Sequence, residues 1–203
     1  MPQDPVPAAK GGDLDPDALR LLRGLVRAGV ESRARILEIL VDEMASVPEE
    51  DRAAAALELD RAIAAKAAEE RSWPAVLDTD RLDRAFEALG RKGVLCLHDA
   101  GYDQSDGFGD AEELREEKGG DASGFDAYCF YHRQDVEGAL EGRGLHLAFG
   151  SFAAREGDVK VGRRIEHQLT EAGLRVEWDG TAKKRLHLPG FDFRRRGVAA
   201  DEE

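Results

Sequence analysis

Two histidines and a run of oxygen donors are where this chain could do chemistry. His98, Asp99, Tyr102, Asp103, Ser105, Asp106 and Asp110 fall close together, and His132 follows after a gap. Imidazole suits zinc, copper, iron or nickel, and carboxylates add hard donors, so such a set can hold a transition metal. His98 and His132 each close an apolar run, and a sheet that aligned those runs would bring the two rings and Asp99 together. This gives a metal-dependent reading centred on His98, Asp99, Tyr102 and His132, with a divalent metal as cofactor. Against it, a histidine at a strand end more often serves as a hydrogen-bonded structural residue.

Other chemistries fail on spacing. In a calcium loop counted from Tyr102, Asp106, Gly107, Asp110 and Glu113 would take positions five, six, nine and twelve. Positions one and three would then be Tyr102 and Gln104, where carboxylates are needed. Ser105 lacks the Gly-x-Ser-x-Gly elbow of a nucleophilic serine. Gly142-Arg143-Gly144 lacks the remaining glycine and the strand–loop–helix order of a phosphate loop. Cys96 and Cys129, the two cysteines, sit inside apolar runs, which suits reduced, buried and unreactive thiols in a cytoplasmic protein.

Charge points the other way, toward a partner. The net charge is −13, and residues 93–150 alone carry 13 acids against 4 bases. Such a surface repels phosphate backbones, which makes nucleic acid a poor default partner and suits a basic protein or cationic ligand better, although acids that only keep the protein soluble explain the charge equally well. The segment 99–121 concentrates the effect. Asp99, Tyr102, Asp103, Ser105, Asp106 and Asp110 are the expected partner-binding residues of a non-enzymatic, regulatory or immunity-like binding protein. No apolar run reaches the length of a membrane span. Residues 1–13 have neither a basic nor an apolar signal region, so they read as a disordered lead.

The positioning elements follow from pattern. Asp15 before Pro16 starts a helix that Gly29 closes. Ser32 caps a second, with Ile36, Ile39, Leu40 and Met44 on its apolar side. Pro48 opens a third, running to about Arg71 with Leu57 and Ile63 as its large apolar residues. Asp78 or Thr79 caps a fourth, with a stripe of Leu82, Ala85, Phe86 and Leu89, and Gly93 precedes a strand at 94–98. Residues 99–124 read as a long polar connection containing one acidic helix, Ala111 to Lys118. Ala127 to His132 alternates as a central strand, and Arg133 to Leu140 makes a short helix before a strand at 145–149. That pair is most simply parallel, although the connection is short enough for an antiparallel one. A helix through Val161, Ile165 and Leu169 leads to strands at 174–178 and 184–188, joined by Asp179-Gly180 as a hairpin in which Trp178 faces the core.

The ordered set SWP…DTDRLDRAFEAL, LHDAGYDQSDG, CFYHRQDVEGAL…GLHLAFG and VGRRIEHQLTEAGLRVEWDG resembles an uncharacterised bacterial family, a domain of unknown function. The resemblance runs from about Leu19 to Arg196. It implies a soluble bacterial protein without an assigned activity, and it carries over no catalytic residue.

The expected fold is α+β: a helical N-terminal part followed by a mixed sheet of about five strands flanked by helices. The expected divisions are a lead at 1–13, a helical region at 14–92, a sheet domain at 93–193 and a frayed tail at 194–203, where Arg194, Arg195 and Arg196 balance local carboxylates or are solvated.

Overall fold

The structure, a computed structural model, describes residues 14–43, 49–152 and 157–199. The chain forms two compact units, Met1–Ser72 with Arg196–Glu203, and Trp73–Arg195. The expected disordered lead, and the expected roles of Met44 and Pro48, lie outside the described residues. No helix among the described residues is long and apolar enough to cross a membrane.

The first unit contains α1 (Pro16–Ala28), α2 (Arg33–Glu43) and α3 (Glu49–Glu70). The Asp15 carboxylate accepts the Asp17 amide at 2.8 Å, and Gly29 ends α1 in the left-handed region. Ser32 Oγ accepts the Arg35 amide at 3.2 Å at the start of α2. Leu22, Leu25, Val26, Ile36, Ile39, Leu40 and Leu59 form the core. Leu59, rather than Leu57, is the buried anchor of α3, while Leu57 faces water. The end of the chain closes this unit. Lys66 Nζ donates to the Val26 and Gly197 carbonyls, the Gly197 amide to Glu70, and the Ala199 amide to the Glu31 carbonyl. Within the expected frayed tail, Gly197 and Ala199 thus hold backbone hydrogen bonds to distant residues, and its residues 200–203 lie outside the described residues.

The second unit holds the sheet: α4 (Asp78–Gly90), β1 (Val94–Leu97), α5 (Gln104–Glu117), a 3-10 turn (Gly120–Ser123), β2 (Ala127–Phe130), α6 (Arg133–Leu140), β3 (Leu145–Ser151), α7 (Asp158–Glu171) and β4 (Leu186–Leu188). The strand order is β1-β2-β3-β4, with β1 parallel to β2 and the other two pairings antiparallel. The fold is thus α+β with a helical N-terminal part, and the sheet has four strands rather than five. β2 and β3 pair antiparallel because the eight residues of α6 are too few for a crossover between parallel neighbours.

Residues 174–178 do not become a strand. The Leu174 amide is spent on the Leu169 carbonyl at the end of α7, and only Glu177 pairs with His187. Trp178 turns its indole N–H to the Thr181 and Lys184 carbonyls and packs edge-on against Phe149 at 5.6 Å. Gly162 of α7 makes room for that ring, since a Cβ there would lie 2.6 Å from it.

The helices cover both faces of the sheet. Phe86 of α4 meets His98 and Tyr131 on one face, where α7 also meets Phe149. On the other face, Ala100, Phe130 and Ala148 form a small cluster under α5. Helix α5 begins seven residues before the expected Ala111. Asp103 caps it by accepting the Ser105 and Asp106 amides, and Asp106 accepts the Tyr102 and Asp103 amides in return. That reciprocal capping converts most of the expected loop into helix.

Candidate functional site

The parallel strands β1 and β2 end side by side, and the expected site residues lie just beyond them. Backbone bonds fix that corner. The Ala100 amide donates to the Tyr131 carbonyl at 2.9 Å, Arg133 to Gly101 at 3.1 Å, and Gln134 to Tyr102 at 3.3 Å. The loop after β1 is thereby laid along the turn from β2 into α6. Asp99 adopts φ 50°, an unusual conformation for a residue with a side chain, and its carboxylate is held by Arg133 at 2.8 Å.

His98 and His132 enter separate networks. His98 Nδ1 lies 3.0 Å from the Tyr131 hydroxyl and Nε2 lies 3.5 Å from Asp83. Arg195 grips the same Asp83 with two bonds of 2.9 and 2.7 Å. Burial against Phe86 and Tyr131, and then the Arg195 charge, push the His98 pKa down to about 4, while Asp83 opposes the shift. The ring is neutral at pH 7. Solvent reaches about a third of its side chain, which moderates the shift. Tyr131 is fully buried, and burial pushes its phenol up, so it is a fixed hydrogen-bonding group without access to a substrate.

His132 is buried beside Asp135, 3.0 Å from that carboxylate and 3.0 Å from Arg185 Nη1, which also donates to Asp135 at 2.9 and 3.0 Å. Burial lowers its pKa as well, with Asp135 opposing and Arg185 adding to the fall. Asp135 also accepts the His132 backbone N–H. Among the described residues, no group of three or more His, Cys, Asp or Glu side chains is placed to hold a metal ion. The corner brings His98, Asp99, Tyr102 and His132 near in backbone, but the side chains of His98, Asp99 and His132 turn to Asp83 and Tyr131, to Arg133, and to Asp135 and Arg185.

The remaining expected residues lie at and along α5. Asp103 and Asp106 are capping groups, so their carboxylates are committed to backbone amides. Ser105 is exposed in the first turn, and Asp110 is exposed two turns from the cap. The residues of the helix that are buried are Gly107 and Ala111. Most of its surface faces water, with Asp110, Glu112, Glu113 and Glu117 making no ion pair among the described residues. Arg115 instead pairs with Asp121 and lies 4.8 Å over the Phe152 ring. Two aromatics flank this face: Tyr102 is 55% exposed and Phe108 is 39% exposed, the latter edge-on to Tyr128 at 5.4 Å.

Sequence reasoning missed Asp83, Arg195, Asp135, Arg185 and Phe108. Arg195 balances a carboxylate more than a hundred residues away, and no local pattern could pair them. Phe108 was legible as an apolar residue amid acids, which on a helix must either be buried or mark a contact surface.

A family model described as a domain of unknown function (DUF6891) matches residues 13–197. The chain belongs to this family. No curated protein and no solved structure matches it.

Proposed function

We propose that this member of the family is a non-enzymatic binding protein, regulatory or immunity-like, that presents α5 to a basic protein partner. The observation that carries the reading is the solvent face of α5, where Asp110, Glu112, Glu113 and Glu117, which make no ion pair among the described residues, lie beside half-exposed Tyr102 and Phe108. Carboxylates without internal cations lose nothing when a cation arrives, and they steer its approach. Exposed aromatic faces between them add contact area and can take an arginine guanidinium by cation–π stacking. The histidines of the neighbouring corner support the same reading, since His98 and His132 have internal partners.

The test uses an oligo-arginine peptide as the cationic probe. Asp110→Asn, Glu113→Gln and Glu117→Gln are combined, and the control combines Glu137→Gln, Glu166→Gln and Glu171→Gln for the same change in net charge. The α5 variant should lose about tenfold in affinity, mostly through slower association and most at low salt, and the control much less. Equal losses in the two variants would refute a local site. Bacterial lysate pull-downs with the same variants then test the protein partner.

A metal-dependent role is the second reading, favoured by the backbone bonds that draw the His98–Tyr102 loop onto the His132–Gln134 turn. It requires zinc or nickel to raise the melting temperature and His98→Ala to abolish the rise. No shift with either ion removes it.

A further inference from the structure

The chain has two cysteines, and the fold sets them against each other. Cys96 of β1 and Cys129 of β2 are register partners in the parallel pair, so their side chains leave the sheet on the same face. Neighbouring strands lie about 4.8 Å apart, within the Cα separations that disulfides span. Cys96 Sγ donates to the Val94 carbonyl of its own strand at 3.6 Å, and its thiol faces Cys129 across the register. Their exposures differ. β1 is the edge strand and leaves Cys96 half-exposed, whereas Cys129 is buried one strand in. Burial pushes the Cys129 thiol well above its ordinary range, so it is protonated and inert toward outside reagents. An accessible thiol with a protected one directly beside it is the arrangement in which a first oxidation is captured internally.

We propose that Cys96 and Cys129 form a reversible oxidation site, in which a peroxide converts the pair into an intramolecular disulfide tying β1 to β2. The Cys96 thiolate attacks the peroxide O–O bond, giving Cys96 sulfenic acid and releasing hydroxide. The Cys129 sulfur then attacks the Cys96 sulfur and the S–O bond breaks. The hydroxyl leaves with the Cys129 proton as water. Overall, two thiols lose two hydrogens and one peroxide becomes two waters. Parallel register holds Cβ atoms at about the strand spacing, wider than the usual 3.5–4.5 Å of a disulfide. The bond therefore draws the strands together and carries strain, which makes it readily reduced by a small thiol.

The test treats the full-length protein with hydrogen peroxide in the absence of denaturant and measures intact mass and free thiols. The expected product is a monomer about 2 Da lighter, with both thiols lost together and restored by dithiothreitol. Peptide mapping should join the Cys96 and Cys129 peptides. Cys129→Ala should stop at a Cys96 sulfenic acid that dimedone traps, and Cys96→Ser should leave Cys129 unmodified. The wild-type reading needs neither variant to fold. Overoxidised Cys96 beside a free Cys129, a disulfide-linked dimer, or two unmodified thiols would each overturn the proposal.

Discussion

Replacing Gly107 with alanine tests how α5 is held, because the helix carries its own control two residues on. A Cβ at Gly107 would lie 2.5 Å from Phe130 Cε2, 2.7 Å from the Ala100 carbonyl oxygen and 2.8 Å from Phe130 Cδ2. The carbonyl belongs to the backbone that joins β1 to α5, and Phe130 is fully buried, so neither can yield cheaply. Overpacking of this kind costs about 1–3 kcal/mol, and contacts this short belong near the upper end. Alanine also improves the helix by about 1 kcal/mol over glycine, leaving Gly107→Ala destabilised by about 2 kcal/mol. At Gly109, on the same helix, an added Cβ meets nothing within 4 Å. Gly109→Ala should therefore gain up to about 1 kcal/mol from propensity alone. Both tryptophans, Trp73 and Trp178, lie in the unit that contains α5, so urea unfolding followed by tryptophan fluorescence reports that unit. The expected gap between the variants is about 3 kcal/mol. Two variants of equal stability would mean that α5 does not rest on Phe130 through Gly107, and the face proposed for binding would be wrongly drawn.

Acid should weaken the same unit through His98. Its pKa is ordinarily about 6.5 and is held near 4 in the fold, so below about pH 6.5 the unfolded chain binds a proton that the folded chain refuses. Stability is complete above that pH and falls as pH drops toward 4. After discount for the exposed third of the side chain, wild type should lose about 1 kcal/mol more than His98→Gln between about pH 7.5 and pH 5. Parallel urea midpoints for the two proteins would exclude the effect. Ending the chain after Arg195 should loosen the first unit by about 2 kcal/mol, because buried Lys66 loses the Gly197 carbonyl and Glu31 the Ala199 amide. Faster amide exchange in α1 and α3 is the readout, and unchanged exchange there would show that the terminal segment does not close the unit.

The sequence by itself determined the elements whose causes are local. The Asp15–Pro16 start and Gly29 end of α1, the stripe of α4 and the alternation of β2 each depend on residues within a turn or a strand of one another, so pattern reads them directly. Aspartates at 103 and 106 also formed a local capping signal. Read as loop acids, they hid the start of α5, which made a long connection out of what is mostly helix. Tertiary structure decided what depends on residues far apart in the chain. It chose antiparallel pairing for β2 and β3, and it reduced residues 174–178 to one bridge because Trp178 and Leu174 found other partners. It turned His98 to Asp83 and Tyr131, and His132 to Asp135 and Arg185. It also placed Cys96 opposite Cys129. Periodicity tells which face a side chain takes along its own strand, but not which strand lies beside it. Register across a sheet is set by the packing of both its faces, so the neighbours of a polar side chain emerge only when the whole unit has folded.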